Sequence, residues 1–390
     1  MQKLLFFISI LSASYTLQGQ IVNVPDANFK NHLVNINCVD NDGDGFAEND
    51  VDTNDDGEIQ VSEAQFVINL IIQGPLPPQI MSTLEGIESF SNLESVSAAN
   101  GHTISHADYS QNLSLKSIFM IGNQVNTIIL PQSPNLTELI VWGNNLTDID
   151  VSQNPNLEQF QIYDNELTTL DVTQNPNLIR LVCGFNNLTS LDLTQNPNLE
   201  RLDFSNNQIT DIDITQNPQL SLFACHWNQI ENLDLSQHQF LEEIRVHHNE
   251  LTSLNIKNGN NTNLENMIAY ENPNLFCIEV DNQAYADNQI CDLPFIGWCK
   301  DVNTNYNEQC TLGIDKFNTL EFSLLPNPAD NFIEISSKTP LDNIECYSLN
   351  GNKIFETINT RIDISNLSSG IYIIAITQNK KKSFKKFVKY

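Results

Sequence analysis

The chain has 390 residues, 18 of them Lys or Arg and 48 Asp or Glu, for a formal net charge of −30. That length allows two or three domains, and the acidic balance argues against a nucleic-acid partner, because phosphate recognition needs clustered Lys and Arg. It favours cations, or simply solubility. The imbalance is uneven: from Ile21 to Asp315 only seven basic residues occur (Lys30, Lys116, Arg180, Arg201, Arg245, Lys257 and Lys300), whereas ten lie from Lys316 onward.

Residues 1–20 read as a signal peptide, with Lys3 as the positive start and Leu4 to Leu11 as an apolar core too short to span a bilayer. No later segment carries 18 apolar residues in a row, so no membrane span is expected and the protein is read as secreted or displayed on the cell surface.

Residues 21–75 read as a small helical cap built around acidic loops. Pro25 to Lys30 begins a lead-in helix. In the stretch Asp52 to Glu63, Asp52, Asn54, Asp56, Gly57, Glu58, Ile59, Gln60 and Glu63 fall on positions 1, 3, 5, 6, 7, 8, 9 and 12 of an EF-hand loop. Hard oxygen ligands at that spacing surround Ca²⁺, Gly57 permits the sharp turn, and Glu58 offers only its backbone carbonyl. Val61 to Leu70 is expected as the exit helix. Immediately upstream, Asp40, Asp42, Asp44 and Gly45 repeat the first half of the pattern, but position 12 is Val51, with Asp50 or Asp52 as possible substitutes. This copy resembles thrombospondin-type or dockerin-type calcium loops. The whole region resembles the calcium-loop cap that precedes repeats in secreted Bacteroidota proteins. Ca²⁺ is the one cofactor the sequence calls for.

Residues 76–275 are repetitive. Asn123, Asn144, Asn165, Asn186, Asn207, Asn228 and Asn249 recur every 21 residues, each within L-x-x-L-x-L-x-x-N-x-L or an apolar variant of it. One copy is Leu178, Leu181, Cys183, Asn186 and Leu188. In L-x-L the two apolar residues share one side of a short strand. A single coil of that length cannot bury its apolar side alone, but stacked coils form a parallel sheet over one continuous core. Asn must turn inward to satisfy backbone groups at the bend. Asn154-Pro155, Asn175-Pro176, Asn196-Pro197 and Asn217-Pro218 mark the opposite turn. Cys183 and Cys225, two coils apart and thus roughly 10 Å from each other, are too distant to bridge and are expected as buried thiols. The pattern resembles the bacterial leucine-rich-repeat family and implies a solenoid of about nine units.

Residues 276–312 break the period and carry Cys277, Cys291, Cys299 and Cys310, as a C-terminal cap does. The preferred pairing is Cys277 with Cys310 and Cys291 with Cys299, one of three that the sequence leaves open. After a linker at 313–319, residues 320–390 change composition to short strands with turns at Asn350-Gly351 and Ser369-Gly370. The strands are expected at Phe332 to Ile335, Ile344 to Tyr347, Ile371 to Ile376 and Lys385 to Val388. This segment resembles the type IX secretion sorting domain, an all-β sandwich, which implies recognition by that secretion machinery followed by removal.

Two columns of residues follow the L-x-L strands. Trp142, Tyr163, His226, His247 and Tyr270 lie in one, and Phe185, Trp227 and His248 in the next. Exposed aromatics on a rigid sheet are what recognition surfaces use. His226, His247 and His248 also raise the question of zinc, although no spacing rule compels it. Asp150, Asp171, Asp192, Asp213 and Asp234 stack as an acidic edge. No Gly-rich phosphate loop, G-x-S-x-G or H-E-x-x-H occurs, so the chain is not expected to be an enzyme. The expectation is a recognition or adhesion protein binding a protein or glycan on its concave face. The alternative is a structural surface protein without a specific ligand.

Overall fold

The computed structural model describes residues 19–72, 80–99, 101–292, 296–310, 322–337, 340–348, 352–378 and 381–390. Residues 1–18 of the expected signal peptide, the linker at 313–319 and the Asn350-Gly351 turn lie outside them. The chain divides into two compact units, one up to Gln309 and one from Cys310.

The first unit is a leucine-rich-repeat solenoid. Its spine is a 13-stranded sheet in which nearly every neighbour is parallel and one coil onward, from Asn69–Ile72 to Ile296–Cys299. Register is strict: Leu139, Phe160, Leu181, Leu202, Phe223 and Ile244 stand opposite one another in succession. The period-2 pattern sets this register, since a one-residue slip would turn each L-x-L pair to the solvent. Leu181 and Cys183 are fully buried, while Val182 between them is half-buried on the outer face. At 1.5–3 kcal/mol per buried aliphatic side chain, roughly, the apolar stack supplies the main stabilising term.

The repeat asparagines turn inward as expected. Asn186 Nδ2 donates to the carbonyls of Ile162, Cys183 and Gly184 at 3.0, 3.1 and 3.1 Å, and its Oδ1 accepts from Leu167 N at 3.0 Å. Each Asn thus ties its own coil to the preceding one. The Asn-Pro turns hold a second buried ladder: Asn196 Nδ2 donates to Val172 O and Asn175 O, both at 2.9 Å. In the coil after Asn217 the ladder position is His238, whose Nε2 takes up the corresponding contact with Ile214 O at 3.1 Å. Burial holds the His238 imidazole below its ordinary pKa.

Both sheet ends close with antiparallel strands. Val39–Asp40 pairs with Asn69 and Leu70, and Cys291–Asp292 pairs with Ile296 and Gly297. Reversing the direction covers the edges that a parallel stack would otherwise leave open. The Cys291–Cys299 bridge lies in the C-terminal hairpin, with Cα atoms 4.8 Å apart, and Cys277 and Cys310 are disulfide-bonded as well. Cys183 and Cys225 are buried free thiols, in line with their coil spacing.

One element differs from expectation. The lead-in helix forms over Ala27–Asn35, capped by Asp26, but the exit helix spans Val61–Ala64 rather than continuing to Leu70. Asn69–Ile72 is instead the first parallel strand, in register with Ser95–Ala98, and buries Leu70 and Ile72. Pairing with two neighbours outweighs the weak preference of a short helix to extend.

The second unit has a core of its own, including Ile333, Ile344, Cys346, Ile374 and Phe387. A three-stranded antiparallel sheet (Phe322–Leu325, Phe332–Ser337, Arg361–Asp363) and a four-stranded one (Lys353–Thr357, Asn343–Ser348, Gly370–Gln378, Lys381–Lys389) share it. The four expected strands are present and longer, and three more join them.

Candidate functional site

Each coil leaves its strand through the same bend, and the residue before the ladder Asn is left-handed. Gly122 and Gly143 fill that position with φ of 63° and 69°. In the following coils it is occupied by Asp164, Phe185, Asn206, Trp227, His248 and Glu271, with φ between 52° and 57°. Asn and Asp tolerate this region; Phe and Trp do so at a cost of roughly 1–2 kcal/mol each. These two rings are also the more exposed, Phe185 at 45% and Trp227 at 52%.

The rings form two groups. Tyr163 packs against Phe185 with centroids 4.9 Å apart. Gly184 makes room for it: a Cβ there would sit 3.3 Å from the Tyr163 ring and 2.9 Å from Ser205 Oγ. Two coils on, His226 stacks on His247 at 4.5 Å and 9°, Trp227 on His248 at 3.8 Å and 13°, and His247 on Tyr270 at 4.8 Å and 22°. Trp142 stands apart in the first column, 38% exposed. All eight residues singled out from the sequence therefore line one band, with Ser205 and Asn206 between the groups. Burial, and then the neighbouring His226 and His248, push the His247 pKa down to about 3. Burial also lowers that of His226. Both imidazoles are neutral at physiological pH. Parallel stacking sets ring nitrogens side by side rather than around a common centre. Among the described residues the three histidines form no convergent metal-ligand set.

The acidic edge has a local explanation. Asp171 Oδ1 accepts from Thr173 N at 2.9 Å and Thr173 Oγ1 at 2.7 Å, and Asp192 and Asp213 repeat the motif. These carboxylates close Asx turns, and those hydrogen bonds hold them below the ordinary carboxylate pKa.

The two acidic loops are built alike. Asp40 accepts from Gly43 N at 2.7 Å and Gly45 N at 3.0 Å; Asp52 accepts from Asp56 N at 3.2 Å and Gly57 N at 2.7 Å. Gly45 and Gly57 are both left-handed. They differ in where the carboxylates point. In the first loop, ligand oxygens of Asp40, Asp42, Asp44 and Glu48 all lie within 4.8 Å of one another. Glu48, missed in the sequence, sits at loop position 9 and lies within this cluster, which does not include Asp50 or Asp52. In the second loop, Glu63 accepts from Gln60 N at 2.9 Å and Thr53 Oγ1 at 2.8 Å, while the Gln60 amide holds Asp56 at 3.1 Å and Asn54 at 2.7 Å. Glu58 is engaged by Lys30 at 2.6 Å. Asp52 and Glu63 are nevertheless 2% and 6% exposed.

The fold and the banded sheet define a leucine-rich-repeat protein with an appended all-β unit. Residues 176–218 match the family described as "Leucine Rich repeats (2 copies)", and residues 323–390 match "Secretion system C-terminal sorting domain". The latter implies an exported or surface location, and among the described residues no helix is long and apolar enough to cross a membrane. No curated protein matches the chain. Similar solved structures include the functional domain of InlJ from Listeria monocytogenes, at 20% identity and a TM-score of 0.37, covering 95% of this chain and 98% of that one. InlP of the same organism is 17% identical with a TM-score of 0.42, over 85% of this chain and 90% of its own. The Arabidopsis receptor kinase HAESA, solved with a peptide hormone and a co-receptor, is 18% identical with a TM-score of 0.40 over 55% of this chain and 42% of its own.

Proposed function

We propose that this is an exported, non-enzymatic recognition protein that binds a protein or glycan through the aromatic band of its long sheet. The carrying observation is the left-handed backbone beneath Phe185 and Trp227, where two coils of the same chain use Gly. Large rings held in a strained conformation and left about half exposed gain too little from burial to explain their presence by stability alone. A binding surface explains it, since a few aromatic anchors carry most of an interface's energy. The test is a double replacement, Phe185→Gly and Trp227→Gly, compared with Trp142→Ala/Tyr163→Ala/Trp227→Ala, in binding to whole cells and extracellular matrix. Both variants should lose about a hundredfold or more in affinity. The glycine pair should melt no lower than the parent. Unchanged binding by folded variants would assign the band a structural role.

A second proposal concerns Ca²⁺ and the N-terminal cap. Calcium takes oxygen ligands at 2.3–2.6 Å, so ligands on opposite sides of one ion lie about 5 Å apart. The mutual spacing of Asp40, Asp42, Asp44 and Glu48, within 4.8 Å, fits that sphere. The Asp52 loop supplies Asp52, Asn54, Asp56, the Glu58 carbonyl, Gln60 and Glu63 for a second ion, and its two buried carboxylates have no cationic side chain beside them among the described residues. Saturating Ca²⁺ should raise the unfolding midpoint by mass action, worth about 2.7 kcal/mol at a hundredfold excess over Kd. Glu48→Gln should abolish one binding event in calorimetric titration and Glu63→Gln the other. Identical melts with calcium and with chelator would reject the proposal.

A further inference from the structure

The acidic chain concentrates its few arginines in one place. All three arginines between Ile21 and Asp315 (Arg180, Arg201 and Arg245) sit on the outer face of the long sheet, in the strands Arg180–Val182, Arg201–Asp203 and Glu243–Arg245. Arg245 is paired with Glu243 at 2.6 Å. Arg180 and Arg201 stand directly opposite each other in register, about one strand spacing or ~4.8 Å apart. Among the described residues neither makes an ion pair or a side-chain hydrogen bond, and Arg180 Nε is buried without a partner. The nearest carboxylate along the strand, Asp203, is held instead by Ser205 N at 2.9 Å and Ser205 Oγ at 2.6 Å. Like charges facing each other on a sheet destabilise it, and among the described residues neither guanidinium forms an ion pair that would offset this.

The neighbouring rings present the same polarity. His226, Trp227, His247 and Tyr270 stack along the coils, so their faces cover one another and their edges meet the solvent. Aromatic edges carry the positive part of the ring quadrupole. The Nδ1 atoms of His226 and His247 are buried without partners, which favours the tautomer with the proton on Nε2. The surface therefore offers donors and positive charge in a molecule that is otherwise strongly negative.

We infer that Arg180 and Arg201 receive the carboxylates of an acidic peptide segment of a partner protein, whose backbone carbonyls meet the donor edges of the aromatic band. This rests on the proposed recognition role of that band and names its ligand chemistry. A saccharide would stack on ring faces, and here the stacked rings cover most of them; an acidic peptide needs the guanidinium groups, which make no ion pair among the described residues.

The test measures binding of the full-length protein to fluorescent oligo-glutamate, oligo-lysine and oligogalacturonate. Oligo-glutamate should bind, more weakly as salt rises, and oligo-lysine should not bind at this face. Arg180→Gln/Arg201→Gln should bind oligo-glutamate about tenfold more weakly or worse, while melting at the parental temperature or above because a repulsion is gone. Equal binding by parent and double variant would overturn the inference, since it would place the peptide elsewhere, for example on the lysines of residues 380–389. Preference for oligogalacturonate over oligo-glutamate would overturn the assignment to a peptide. Either failure leaves the recognition role standing if the Phe185 and Trp227 variants still lose binding to cells. If those variants bind cells normally, the recognition role itself fails.

Discussion

Replacing Asn186 by Ala should lower the unfolding free energy by about 3 kcal/mol or more. The residue is 8% exposed and its side chain makes four hydrogen bonds to the backbone of two adjacent coils. Without it, the Leu167 N–H and the Ile162 carbonyl lose a partner where water does not easily reach. Each such buried group costs roughly 1–3 kcal/mol. Asn187→Ala is the control: that side chain is exposed and should fall within about ±0.5 kcal/mol of the parent. Denaturant unfolding of the two variants measures the difference. A loss below about 1 kcal/mol for Asn186→Ala would mean that the ladder contributes little beyond setting the bend.

Deletion of residues 323–390 should abolish appearance of the protein outside the cell while leaving the solenoid's melting temperature unchanged. The sorting-domain match covers that segment, and the two units bury separate cores. Fractionation and immunodetection of the truncated chain give the first readout, and a melt of the purified truncated protein gives the second. Export of the truncated chain at parental levels would show that the segment is not the address. A lowered melting temperature would show that the solenoid depends on it for stability.

The site was partly legible in the sequence. The two ring columns could be read because the strict period assigns every residue after an L-x-L to the same place in its coil. The strain beneath Phe185 and Trp227 could not, because φ is set by the bend that the inward Asn imposes. Glu48 was missed because Val51 at position 12 drew the reading to Asp50 and Asp52, although position 9, where Glu48 falls, is itself a ligand position of the twelve-residue pattern and the loop brings it together with Asp40, Asp42 and Asp44. The exit helix was overextended because Val61 to Leu70 has no local stop signal. What stops it is the neighbouring strand Ser95–Ala99.

The amino-acid sequence alone determined the coil period, the buried asparagines, the isolated thiols of Cys183 and Cys225, and the all-β character of the final segment. All of these follow from local pattern and from fixed spacings along the chain. Only the tertiary structure decided which carboxylates gather, which turn away into hydrogen bonds, and which charges stay unpaired. The arginines show this most directly. Arg180 and Arg201 lie one 21-residue period apart, so the sequence already sets them at the same place in adjacent coils, but only the structure shows that neither forms an ion pair among the described residues. Electrostatic partnership depends on distances of a few ångströms, and across coils only the stacking fixes those distances.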